Sequence, residues 1–177
     1  MAAAPAIERV TGVTVFTDIV GFTEYTALQG DLAALSLLSH QERIVSEELP
    51  PGARIVKELG DGLLLWFPDA CQAIACALRL QQRFEEHSRG GDADPLWVRM
   101  GAHWGTQSLR RGDLVGHDVN LASRVPSLAG AGEVLLSEAT VARIGPGLPG
   151  IVFDELGPVS LKGIPHPVRI FRAIPPV

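Results

Sequence analysis

Two aspartates stand where the chain has to turn. Asp18 closes the β-branched run Val13–Thr17 shortly before Gly21, and Asp61 sits between Gly60 and Gly62, with apolar-rich runs on either side. If those two elements are neighbours in one sheet, the carboxylates converge at its edge, where hard cations could be held beside a phosphate. After Asp18 the chain passes through Val20 and Gly21 into a helix, whose first free N–H groups would face the same place and suit phosphate oxygens. Asn120 and Arg124, four apart in "VNLASR", share one helical face and can reach one ligand. Each feature taken alone has a plainer account. An aspartate between glycines serves the turn, and a polar pair on a helix is most often a solvated face.

The elements around these residues can be read from periodicity. Val13–Thr17 is a strand, and Leu28, Leu32, Leu35, Leu38, Val45 and Leu49 recur at near-helical spacing. Gly30 and Asp31 break that run into two consecutive helices, and Pro50 to Gly52 stops the second. Gly60-Asp61-Gly62 is hairpin chemistry. Residues 69 to 87 form an amphipathic helix, then "SRGGDADP" is a loop, and strict alternation makes residues 96 to 104 a half-buried strand. The glycine-broken "GTQSLRRGDLVGHD", with His117 as a polar loop residue, leads into a short helix "VNLASRVPSLA" with Pro126 near its middle. "EVLLS" is a strand, "SEATVARI" a helix with Ser137 as its N-cap, and two strands joined by a Gly/Pro-rich turn close the chain. The order βααββαβ, followed by further α and β elements, predicts an α+β fold: a ferredoxin-like core, an antiparallel-rich central sheet and flanking helices. Residues 1–10 are expected to be a disordered tail and residues 11–177 a single domain.

Composition narrows the function. A chain of 177 residues with 46% hydrophobic residues is one ordinary globular domain. Its net charge of -5 argues against non-specific nucleic-acid binding. No apolar stretch approaches the roughly 20 residues of a membrane span, and no leader is apparent, so a cytoplasmic protein without direct membrane contact is expected. Cys71 and Cys76 support neither a zinc site nor a disulfide framework. "GPGLPG" at Gly145 to Gly150 fits a dinucleotide pattern only literally, since prolines interrupt it and no helix follows, and no Walker run exists.

Three motifs in one order then add a resemblance. "FTDIVGFT" (Phe16–Thr23), "KELGDG" (Lys57–Gly62) and "GDLVGHDVNLASR" (Gly112–Arg124) together resemble the class III adenylyl/guanylyl cyclase catalytic domain, and "SLKGIPHPVRIFR" resembles the closing hairpin of its bacterial members. The resemblance runs from Val13 to Ala173. It implies an adenylate cyclase that converts ATP to 3′,5′-cyclic AMP and pyrophosphate, using two divalent cations per site, Mg2+ or Mn2+. In the matching positions Asp18 and Asp61 are the metal aspartates, with the Ile19 carbonyl as a further ligand. Lys57 and Asp113 read the purine, and Phe16, Gly21, Phe22 and Thr23 belong to the substrate-binding motif. Asn120 and Arg124 orient the ribose and stabilise the transition state. Lys162 is the nearest candidate for the family's triphosphate lysine, although the turn "GIPHP" departs from the lysine-rich version. The resemblance also implies a head-to-tail homodimer whose two clefts each draw residues from both copies. Two rivals remain: an ATP-binding regulatory domain with little turnover, and a purely dimerising module. A diguanylate cyclase would need a Gly-Gly-Asp/Glu-Glu-Phe run where this chain has Gly60-Asp61-Gly62.

Overall fold

The computed structural model describes residues 6–91 and 94–177. Its elements are β1 (Arg9–Ile19), α1 (Phe22–Gln29), α2 (Asp31–Glu48), β2 (Arg54–Leu59), β3 (Gly62–Phe67), α3 (Ala70–Arg89), β4 (Val98–Arg110), β5 (Asp113–Val115), α4 (His117–Arg124), a 3-10 turn (Pro126–Leu128), β6 (Val134–Ser137), α5 (Glu138–Ile144), β7 (Val152–Val159) and β8 (Val168–Ile174). The sheet order is β2-β3-β1-β4-β6-β8-β7, with β5 pairing β4 off that path. Strands β1 to β4 and the helices between them are the expected ferredoxin-like core. Every pairing among the described strands is antiparallel except β4 with β6.

Alternation along β1 and β4 sorts the sheet into two faces. Val13, Val15 and Ile19 with Val98, Met100 and Ala102 face α2 and α3, burying Leu37, Ile44, Leu80 and Phe84 in the main core. The opposite face carries Phe16, Asp18, Arg99, Gly101 and His103. Part of it is covered by α4 and the 3-10 turn. There Leu121, Val125 and Ala129 pack on Leu135 and Ile170, with Leu161 of the β7–β8 turn. Gly101 permits that covering: a Cβ on it would lie 2.6 Å from the Pro126 nitrogen and 2.7 Å from the Val125 Cβ.

Several boundaries differ from the sequence reading, each for a local reason. β1 begins at Arg9, inside the expected tail of residues 1–10, because it pairs with β4 from Arg9↔Ser108 onward; residues 1–5 lie outside the described residues, as do 92 and 93 of the polar loop. β4 runs on to Arg110 where a glycine-broken loop was expected, since β1 and then β5 supply it with partners. The expected helix through Pro126 ends at Arg124, and a 3-10 turn starts at Pro126. Proline lacks the N–H that would continue the helical hydrogen bonds. His117 is the first residue of α4 rather than part of a loop. Ser137 stands at the N-cap of α5, but its side chain does not cap the helix. No helix among the described residues is long and apolar enough to cross a membrane.

Candidate active site

The hairpin β2–β3 pairs Leu59 with Gly62, which leaves Gly60 and Asp61 as its two-residue tip. Gly60 has a φ of 60°, the positive value that a tight hairpin of this kind needs at its first tip position. The hairpin reaches the end of β1. A Cβ on Gly62 would lie 2.0 Å from the Thr17 carbonyl oxygen, so only glycine lets the strands come this close. Gln41 of α2 fastens the tip: its Nε2 donates to the Asp61 carbonyl (3.2 Å), and its Oε1 accepts from the Thr17 hydroxyl (2.9 Å). The Leu63 N–H in turn donates to the Thr17 hydroxyl at 2.9 Å.

Asp61 is thereby brought beside Asp18. Burial, and then the charge of Asp18, push the Asp61 carboxyl above its ordinary pKa, while Arg99 partly offsets both. Asp18 is opposite Arg99 in the β1–β4 register, and its Oδ2 accepts from the Arg99 Nε at 2.6 Å, with Nη2 as close in an ion pair. Beyond Asp18, Ile19 turns its side chain into the core at 3% exposure. Gly21, at a φ of 73°, then opens α1. The amides of Phe22, Thr23 and Glu24 have no carbonyl a turn back to bond, as at any helix start, and no side chain caps them. Among the described residues no three His, Cys, Asp or Glu side chains converge as a metal cluster. Asp18 and Asp61 are two carboxylates that could hold a cation such as Mg2+ or Mn2+, ions that take few protein carboxylates.

A second group gathers around Lys57. The Lys57 Nζ donates to Asp113 Oδ2 at 2.7 Å, joining β2 to the β4–β5 hairpin. Lys57 holds the Asp113 carboxyl below the usual carboxylate range. Lys57 pairs with Leu64, Leu64 with Phe16, and Phe16 with Gly101, so all four residues lie in one cross-strand row. That row stands next to the row of Asp18 and Arg99, on the same face.

The third group sits on α4. Asn120 and Arg124 are exposed, while the neighbouring Val119, Leu121 and Ala122 are buried. Asp118, in the first turn, lies against Gly105 of β4. From Arg99 to Gly105 a strand advances roughly 20 Å, so the first turn of α4 stands far along the sheet from the Asp18 row. Lys162 is exposed in the β7–β8 turn, next to Leu161, which packs on α4, and it is separated from β1 by β4, β6 and β8. One chain thus brings Asp18 to Asp61 and Lys57 to Asp113, and keeps Lys162 and the start of α4 apart from the aspartates. The sequence reading did not single out Arg99, Gln41 or Thr17. The only sequence trace of Arg99 is its place among the outward-facing residues of an alternating strand.

The family described as adenylate and guanylate cyclase catalytic domain matches residues 4–172. The pH-sensitive adenylate cyclase of Mycobacterium tuberculosis is 30% identical over 174 residues, covering 95% of this chain and 41% of that protein. An adenylate cyclase of Streptomyces griseus is 35% identical over 125 residues, 70% of this chain and 30% of the relative. The chain therefore spans less than half the length of either relative. Among solved structures, adenylyl cyclase CyaB from P. aeruginosa superposes with a TM-score of 0.83 at 27% identity, covering 96% of both chains.

Proposed function

The chain belongs to the adenylate and guanylate cyclase catalytic-domain family, and from that premise we propose that it converts ATP to 3′,5′-cyclic AMP and pyrophosphate in clefts shared by two copies. The observation that carries this reading is the meeting of Asp18 and Asp61, where the charge of Asp18 adds to burial in pushing the Asp61 carboxyl above its ordinary pKa. Asp18, Asp61 and the Ile19 carbonyl would hold two divalent cations, which when bound polarise the ribose 3′-hydroxyl and the α-phosphate and neutralise the β- and γ-phosphates.

The other residues bind and orient. Arg99 fixes the Asp18 carboxylate through its Nε and Nη2. Gly21, Phe22 and Thr23 offer free amides at the start of α1 to phosphate oxygens, and Phe16 floors the cleft beside them. Lys57 and Asp113 read the base. Adenine presents an acceptor at N1 and a donor amino group at N6, which an ammonium and a carboxylate complement. Guanine reverses both, leaving each side chain facing a like partner, and a site with unpaired polar groups rejects such a ligand strongly. Asn120 orients the ribose. Arg124 presents a fixed fork of donors to the charge that builds on the α-phosphate as the 3′-hydroxyl attacks in line and pyrophosphate leaves. Lys162 steadies the triphosphate. No side chain has to act as general base, since the acids of the cleft are metal ligands.

The separation of the first turn of α4 and of Lys162 from the aspartates within one chain supports a cleft completed by a second copy, Asp18 and Asp61 from one and the purine and transition-state residues from its partner. The test is to incubate the purified protein with ATP or GTP, with Mg2+ or Mn2+, over a range of protein concentrations, and to resolve the products by chromatography. Cyclic AMP is expected, at a rate per chain that rises with concentration, and Asp18→Ala should abolish it. Nucleotide binding without any cyclic product would instead make the chain a regulatory nucleotide-binding domain.

A further inference from the structure

Beneath α4 lies a line of buried polar groups that touches no substrate on the reading above. His103 is 6% exposed and bridges two layers. Its Nε2 is 3.0 Å from Asp118 Oδ1 on α4, and its Nδ1 is 2.7 Å from the Ser137 hydroxyl at the end of β6. The Ser137 hydroxyl is 3.1 Å from that of Thr140 on α5, and the Thr140 oxygen accepts the Trp104 N–H at 2.9 Å. Asp118 Oδ2 accepts the Thr106 N–H at 2.8 Å. Ser137 and Thr140 have no exposed surface.

These distances allow one consistent assignment of hydrogens. A carboxylate only accepts, so His103 Nε2–H donates to Asp118, and the neutral ring's Nδ1 must accept. Ser137 then donates to His103, and Thr140 donates to Ser137 while accepting from Trp104. Every polar hydrogen on the line has an acceptor, and all point toward Asp118. The other tautomer of His103 would reverse Ser137 and strand the Thr140 hydroxyl hydrogen inside the protein, where an unmade bond is costly. Burial also disfavours the charged ring and lowers the His103 pKa, although Asp118 opposes the shift.

Asp118 lies two residues before Asn120 and in the first turn of an eight-residue helix. Such a short helix is marginal on its own, and Gly116 gives it no side-chain cap. Its apolar residues seat its far end on the sheet, and its first turn needs an anchor of its own. The Asp118 carboxylate is that anchor, held at both oxygens by β4, with Gly105 leaving room for it: a Cβ there would lie 2.3 Å from Asp118 Oδ2. We infer that His103 and Asp118 are positioning residues, and that the hydrogen-bonded line from Thr140 through Ser137 and His103 to Asp118 holds Asn120 and Arg124 in register for the transition state. The inference rests on the reading that α4 serves cyclisation.

The test is steady-state kinetics on the full chain. Asp118→Asn nearly preserves shape but sets an amide donor against the His103 or Thr106 N–H. It should lower kcat at least ~10-fold, as misplacement of transition-state groups does, with KM for ATP little changed and a cooperative thermal transition retained. Ser137→Ala, which leaves His103 Nδ1 without its donor and disturbs the fold less, should lower kcat in the same direction by a smaller factor and serves if the first variant does not fold. Combined with Asn120→Ala, Asp118→Asn should add less than its full penalty, because one of the two contacts it positions is already gone. Unchanged kcat in both single variants overturns the inference. So does an Asp118→Asn penalty that multiplies in full onto Asn120→Ala, since the effect would then not pass through Asn120. If Asn120→Ala alone leaves kcat intact, the reading of α4 itself fails and takes the inference with it.

Discussion

Asp61 carries a carboxyl whose pKa is raised first by burial and then by the charge of Asp18. A group shifted upward by folding favours the folded state at pH values below its unfolded pKa, and that favour is lost as pH rises through the folded value. At neutral pH the ionised Asp61 is thus a cost to the cation-free fold. Asp61→Asn, which suits the same turn, should melt at a higher temperature than the parent at neutral pH without divalent cations. The gap should close toward acid pH. Adding Mn2+ should then raise the parent and leave the variant unmoved; a variant that melts lower at neutral pH would count against the pairing of the two carboxylates. Base recognition gives a second expectation at this scale. Lys57→Glu combined with Asp113→Gly should lower turnover of ATP and favour GTP, because the donor and acceptor order is exchanged. An ATP preference that survives in competition assays would reject the purine assignment. The residues legible in advance were those with a local signature: an acid at a turn, or two polar side chains one helical turn apart. Arg99, Gln41 and His103 act through partners far away in sequence, and no local period announces such pairs.

Among elements, α4 depends on what lies beneath it. Gly101 lets the turn after α4 cross the sheet, and an added Cβ there would meet backbone rather than the end of a flexible side chain. Gly101→Ala should therefore destabilise the fold by about 1–3 kcal/mol, the usual cost of overpacking, in denaturant titrations, and should lower kcat by more than the loss of folded protein explains. A variant with parental stability would show that the turn yields easily. The same region marks where periodicity misled. Glycines in "GTQSLRRGDLVG" read as a broken loop, yet β4 continues through Gly105 to Arg110 because neighbouring strands supply hydrogen bonds that no local propensity predicts. Pro126 was read as lying inside a helix, and the loss of its N–H instead ends α4 at Arg124. The two helices split at Gly30, the hairpin at Asp61 and the long α3 were legible because each carries a run of apolar spacing or a turn residue of its own.

For the whole molecule, the order of strands β1 to β4 followed from the succession of elements, whereas the proposed shared cleft involves a second copy that no reading of one chain displays. Asp18→Ala and Asn120→Ala should each be nearly inactive, and mixing them should restore about a quarter of the parental rate, because random exchange makes half the pairs mixed, each with one intact cleft. No recovery after demonstrated subunit exchange would rule out a shared cleft. β4 adds a mechanical consequence. It bears Arg99 near one end, the floor of α4 in its middle and the hairpin of Asp113 at the other end, and it is paired with β1 from Arg9 to Ile19. A strand laced along that length is a spine without a hinge, so the two half-sites of one chain cannot shift against each other. On the proposed shared cleft, a change in turnover would then be expected to come from whole copies swivelling as rigid pieces, widening or narrowing the seam between them.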